Sequence, residues 1–218
     1  MAQFFRIHPQ NPQPRLIRHA AEIIHDGGVI AYPTDSCYAL GCRVGDHEAA
    51  TRIRTIRKVN EGHHFTLMCR NLAEIGGYAH INNAQHRLIK AITPGSYTFI
   101  LMANKKLPRR ILHVKRKTIG LRIPAHSIAQ ALLAELNEPL LSTSLILPGH
   151  ALPLTDAYEI RERLEHKVDL VIEGNSCGVE MTTVIDFTGE DPILIRKGRG
   201  DLSTLGVQMV SRPIEQTY

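Results

Sequence analysis

Gly27-Gly28-Val29-Ile30-Ala31-Tyr32-Pro33-Thr34-Asp35-Ser36 joins an apolar strand to a proline-stiffened loop carrying three oxygen-bearing side chains. Val29 to Tyr32 have the β-branched and aromatic character of a buried strand. Pro33 lacks the N–H that a central ladder needs, so the strand stops and Thr34, Asp35 and Ser36 emerge just beyond it. That edge suits ligand binding; the same residues would equally serve an ordinary strand exit with an Asp or Ser capping a helix.

Upstream of this stretch, Leu16, Ile17, Ala20, Ile23 and Ile24 share one face of a helix predicted over Pro14 to Asp26, which Gly27-Gly28 terminates. Downstream the two periodicities interleave. Helices are predicted near 46–57, 72–78, 83–92, 127–136 and 158–165, and strands near 65–69, 97–103, 119–123, 140–144, 170–172, 183–186 and 193–196. This pattern predicts an α/β fold with a mixed sheet. There is no internal repeat or low-complexity tract, so residues 14–201 are read as one domain, with an extension at 1–13 and a loosely held tail at 202–218.

A chain of 218 residues with 43% hydrophobic content can build its core without disulfides or metal. No apolar run approaches the roughly 18 residues of a membrane span, and the N-terminus lacks signal-peptide character, so a cytoplasmic location and no membrane partner are expected. Cys37, Cys42, Cys69 and Cys177 form no Cys-x-x-Cys pair and the twelve histidines are scattered; no protein-ligated metal is expected, and the cysteines read as reduced core or pocket residues.

The net charge of +5 is unevenly spread. Lys105, Lys106, Arg109, Arg110, Lys115, Arg116 and Lys117 fall in one run without an acidic residue. Such a run can neutralise several phosphates of an RNA at once. No helix-turn-helix or zinc-finger pattern accompanies it, so base reading is not expected.

Two further segments add to the opening one: Thr93-Pro94-Gly95-Ser96-Tyr97-Thr98-Phe99-Ile100, a Pro-Gly turn feeding a strand, and Leu140-Leu141-Ser142-Thr143-Ser144-Leu145, a strand ending in three hydroxyls. Together the three segments resemble the YrdC/YciO family, which includes the threonylcarbamoyl-AMP synthases. Arg57-Lys58-Val59-Asn60-Glu61-Gly62-His63-His64-Phe65-Thr66-Leu67-Met68-Cys69, Pro108-Arg109-Arg110 and Lys115 to Pro124 point to the YciO branch. The resemblance spans about Pro14 to Asp201. It implies a twisted, open mixed sheet flanked by helices, with a large basic cavity.

In the catalytic relatives L-threonine and bicarbonate combine, and the carbamate attacks the α-phosphate of ATP to give threonylcarbamoyl-AMP and pyrophosphate for tRNA modification. Such a site needs donors aimed at a carboxylate, a carbamate and a triphosphate carried with magnesium, and it needs no nucleophilic side chain. By motif position the resemblance implies substrate binding at Thr34, Arg57, His63, Thr98 and Arg122. It implies nucleotide binding, of ATP or an AMP-like molecule, at Ser142, Thr143, Ser144 and Arg196. A cap or turn contact for each hydroxyl, and a surface or ion-pair role for each arginine, stand beside these assignments. No catalytic side chain is assigned.

Two departures bear on activity. The family's Lys-x-Arg motif becomes Arg57-Lys58-Val59, and its Ser-Thr-Ser-Ala-Asn motif becomes Ser142-Thr143-Ser144-Leu145-Ile146, so a cation and an amide are each replaced by an apolar residue. A later family lysine aligns with His63, whose charge near pH 7 is expected to be conditional, and Lys58 compensates only if it points inward. The expected function is nucleotide and RNA binding linked to threonylcarbamoyladenosine modification of tRNA, with weak synthase activity. The alternative is a non-catalytic protein that binds double-stranded RNA or tRNA by shape and phosphate contacts.

Overall fold

The computed structural model describes residues 1–107, 117–175, 177–203 and the backbone of residues 210–211. Eleven strands are seen among them: β1 (Gln3–Arg6), β2 (Ile30–Tyr32), β3 (Ala39–Arg43), β4 (Thr66–Met68), β5 (Tyr97–Met102), β6 (Thr118–Arg122), β7 (Leu140–Ser144), β8 (Leu170–Glu173), β9 (Thr183–Asp186), β10 (Ile193–Arg196) and β11 (Val210–Ser211). They form one mixed sheet in the order β1-β8-β2-β3-β7-β4-β6-β5-β9-β10-β11.

Among the described residues six helices flank it: α1 (Pro14–His25), α2 (His47–Arg57), α3 (Leu72–Tyr78), α4 (Asn83–Ile92), α5 (Ser127–Leu136) and α6 (Ala157–Leu164). Pro14 starts α1 where its missing N–H costs nothing. The side chain of Asp46 accepts from the Ala49 N–H to cap α2, and Asn82 and Gln85 close a capping box on α4.

The two faces of the sheet are packed by different helices. Leu40, Leu67, Phe99, Leu121, Leu141 and Ile185 meet Ile53 of α2, Ile75 of α3, Ile89 of α4 and Ile160 of α6. On the other face Ile30, Tyr32, Met68, Leu140, Leu170 and Ile172 meet Ile17, Ala20 and Ile24 of α1 and Ile128, Leu132 and Leu136 of α5. Each such aliphatic side chain removed from water contributes roughly 1.5–3 kcal/mol.

Continuing along the α1/α5 face toward β5, the strands change character. Ser142, Thr66 and Gly120 lie side by side across β7, β4 and β6, and strand alternation adds Arg122 and Thr98 to the same face. Gly120 permits the close approach there, because a Cβ would stand 3.2 Å from Thr66 Oγ1 and 3.3 Å from Thr98 Cγ2. The packed half of the face thus gives way to a polar half.

Most predicted elements lie within a residue or two of the observed ones, but three strands went unpredicted. β3 holds Gly41 and Cys42, residues that carry no strand signal. A Cβ on Gly41 would come within 2.9 Å of the Tyr32 ring and 2.7 Å of Leu140 Cδ2, so packing rather than propensity selects glycine in this central strand. Residues 1–13, set apart on sequence as an extension, supply β1, which pairs in parallel with β8. Within the 202–218 segment, β11 pairs with β10. No helix among the described residues is long and apolar enough to cross a membrane.

Candidate functional site

The loop after β2 is tied to two other segments. Oδ1 of Asp35 accepts from Arg122 Nη2 at the end of β6, and both side chains are less than a tenth exposed. The hydroxyl of Ser96, in the Pro-Gly turn before β5, donates to Asp35 Oδ2 at 2.8 Å and to the Asp35 carbonyl at 3.2 Å. Asp35 therefore joins three of the motif segments, a role that sequence position alone did not assign to it. The burial of this pair is tolerable because charge meets charge and Ser96 occupies the second oxygen.

Thr34 is committed to the loop itself. Its hydroxyl donates to the Cys37 carbonyl at 2.6 Å and accepts the N–H groups of Ser36 and Cys37 at 3.2 and 3.3 Å. The turn reading therefore describes Thr34, whose hydroxyl is hydrogen-bonded within the loop. Cys177 lies against this turn; burial raises its thiol to about 12, with a backbone hydrogen bond from Thr34 opposing the rise.

On β5, Thr98 Oγ1 lies 2.9 Å from Thr182 Oγ1. The guanidinium of Arg196, from β10, donates through Nη2 and Nε to the Thr182 carbonyl at 3.1 and 3.2 Å. Thr98 and Arg196 are thus joined through Thr182, which lies outside the recognised motifs. The Met181-Thr182-Thr183 stretch offered only a pair of hydroxyls just before a strand as a signal.

The three hydroxyls ending β7 do not act as one patch. Ser142 Oγ lies 2.7 Å from the Tyr32 hydroxyl and donates to the Leu40 carbonyl at 3.2 Å. Thr143, one residue on and so on the opposite face, meets Arg57 at the end of α2 and His63: Arg57 Nη1 donates to Thr143 Oγ1 and to His63 Nε2, the latter at 2.8 Å. Ser144 is half-buried at the strand end, opposite Ala39 of β3. Arg57 Nε also reaches the backbone carbonyl of Ile146 at 3.4 Å.

His63 is not a conditional cation. Burial first, and then the neighbouring Arg57 charge, lower its pKa to about 4, so the ring is neutral at pH 7. A neutral Nε2 that accepts from Arg57 leaves the ring proton on Nδ1; the Thr143 hydroxyl lies 3.0 Å from the same Nε2. Burial also lowers the Arg57 pKa. Lys58 does not point inward either: it is exposed and caps α2 in the left-handed region at φ 50°. Val59 is half-buried and, with Thr51, Arg54, Thr55, Lys58, Asn60 and Glu61, lines an open recess of about 500 Å³.

Of the basic run, Lys105, Lys106 and Lys117 are exposed at the two roots of the β5–β6 connection, where the Ala103 N–H donates to the Lys117 carbonyl. Arg109, Arg110, Lys115 and Arg116 lie outside the described residues. Among the described residues no cluster of three His, Cys, Asp or Glu side chains is placed to hold a metal ion.

Comparison with known proteins gives this geometry a context. The Sua5/YciO/YrdC family model, described as telomere recombination, matches residues 22–198. The crystal structure of Escherichia coli YciO superposes with a TM-score of 0.90 at 55% identity, covering 94% of this chain and all of that one. A threonylcarbamoyl-AMP synthase from Halorhodospira halophila is 30% identical over 178 residues, 81% of this chain and 92% of its own. The structure of Pyrococcus abyssi Sua5 complexed with L-threonine superposes with a TM-score of 0.87 at 25% identity, over 96% of this chain and 62% of that one.

Proposed function

The chain belongs to the Sua5/YciO/YrdC family, and on that premise we propose that it binds L-threonine and an adenine nucleotide beside the Asp35–Arg122 pair. In this reading it serves threonylcarbamoyladenosine modification of tRNA and runs the threonylcarbamoyl-AMP synthase reaction slowly. The observation that carries the proposal is the convergence of Arg122, Asp35 and Ser96 from three separate segments, with Thr98, Thr182 and Arg196 on the neighbouring strands.

The chemistry follows from charge. Bicarbonate and the threonine amine form a carbamate; its oxygen attacks the α-phosphate of ATP, the bond to the β-phosphate oxygen breaks, and pyrophosphate leaves with its magnesium. The residues present can supply cationic and hydroxyl donors for the anions: Arg122 for the amino acid, and Arg196, Ser142 and Ser144 for the nucleotide. Arg57, Thr143 and His63 form a further donor group, in which the neutral His63 orients Arg57 and adds no positive charge.

Slowness has a local cause. Val59 and Ile146 stand where the family motifs carry a cation and an amide, and each lost preorganised donor costs on the order of 100-fold in rate. Incubation with ATP, magnesium, bicarbonate and L-threonine, beside a threonine-free control, tests this: slow, threonine-dependent formation of threonylcarbamoyl-AMP is expected. Folded protein that forms none over many hours would overturn the catalytic part.

A second reading, RNA binding without catalysis, is favoured by exposed Lys105, Lys106 and Lys117 around one connection. Binding of tRNA or double-stranded RNA that weakens steeply with salt supports it. Binding that is insensitive to salt contradicts it.

A further inference from the structure

Among the described residues, Arg122 Nε, His126 Nδ1 and Arg54 Nε are buried nitrogens without a hydrogen-bond partner. The Arg54 guanidinium lies over the Phe65 ring, its carbon 5.0 Å from the centroid. The other two belong together. Arg122 closes β6, His126 is the N-cap of α5 four residues later, and the charges of Asp35 and Arg122 both act on the His126 ring.

Leaving such groups unpaired costs about 1–3 kcal/mol each, and these two stand four residues apart in sequence, with the Asp35 and Arg122 charges both acting on His126. Arg122 is 7% exposed, and Asp35 holds only its Nη2 atom, which orients the guanidinium and leaves the Nε edge unpartnered. His126 occupies an N-cap position without capping: its side chain makes no bond to the first turn of this ten-residue helix. His126 itself stands at the positive end of α5.

Asp35 already balances the Arg122 charge, so a carboxylate arriving at Nε meets a neutral pair rather than a free cation. A second donor is then needed to hold it. The His126 ring, whose pKa burial lowers, carries one proton when neutral, and placed on Nδ1 that proton has no acceptor in the protein.

We infer that His126 is a second substrate-binding residue, its Nδ1–H donating alongside Arg122 Nε to the carboxylate of the amino-acid substrate. The inference rests on the proposed amino-acid site and adds to it a residue that sequence motifs did not assign.

Nitrogen-15 NMR of the His126 ring, combined with calorimetric titration, tests it. L-threonine is expected to shift the Nδ1 resonance, and His126→Ala to weaken L-threonine binding about tenfold or more. His126→Asn, whose amide nitrogen stands near the place of Nδ1, should restore most of the affinity. L-threoninol, which lacks the carboxylate, should bind poorly to the native protein, and His126→Ala should narrow its disadvantage. A His126→Ala protein that binds L-threonine like the native one, with discrimination intact, overturns the inference and leaves the amino-acid site standing. If L-threonine does not bind but acetate moves the Nδ1 resonance, the subsite stands and threonine is the wrong ligand. If neither moves it, the subsite is refuted, whatever the nucleotide does.

Discussion

Nη2 of Arg122 lies 2.5 Å from Oδ1 of Asp35, and this buried contact links the end of β6 to the loop that follows β2. One ion pair thus ties together segments 87 residues apart in sequence. Any account of the site must treat the two residues as a unit.

Breaking that unit from one side leaves a buried charge without its partner. Asp35→Ala is expected to destabilise the fold by about 3 kcal/mol, and Arg122→Met by a similar amount. The double substitution should cost clearly less than the sum, because the second change removes the orphaned charge. Urea unfolding of the four proteins measures the coupling; strict additivity would mean that the pair is not energetically linked.

His63 makes stability depend on pH in a stated direction. Its folded pKa, about 4, lies below the ordinary histidine value of 6.5. Above pH 6.5 the ring is neutral in both folded and unfolded states and contributes no pH dependence. As pH falls from 6.5 toward 4 the unfolded chain takes up a proton that the folded one refuses, so stability is lost. His63→Gln should flatten this part of the profile, read from urea midpoints at pH 7, 6 and 5; an unchanged slope would refute the assignment.

Gly41 has no room for a methyl group between the Tyr32 ring and Leu140. Gly41→Ala should cost about 1–3 kcal/mol through overpacking, and should disturb the Tyr32–Ser142 hydrogen bond across the same face. Thermal unfolding measures the first effect, and the Tyr32 hydroxyl resonance reports the second.

The same position shows where sequence reading reaches its limit. Helices such as α1 and α4 were legible because their apolar spacing and terminal residues are local signals. β3 was not, because Gly41 belongs in a strand only when Tyr32 and Leu140 are already in place beside it. At the site, motif position brought forward Arg122, Thr98 and Arg196. It did not bring forward Thr182, which meets Thr98 across the sheet, or His126, whose buried Nδ1 has no partner at a helix start. It also grouped Ser142 with Thr143, which strand alternation sends to opposite faces. The charge of His63 could not be read from its type, because burial and Arg57 together decide it.

For RNA binding, replacing Lys105, Lys106 and Lys117 with Gln should weaken affinity for tRNA at low salt. The log–log salt slope should fall by up to about 2–3 units if each lysine neutralises one phosphate. Filter binding at several salt concentrations gives the slope; an unchanged slope would exclude these lysines from the interface.

If the apolar residues Val59 and Ile146 slow a synthase site, restoring the missing donors at both positions should speed it. Threonine-dependent pyrophosphate release should be slow in the native protein and rise by about tenfold or more in Val59→Arg/Ile146→Asn. No threonine-dependent release from either protein, both shown to be folded, would contradict the account.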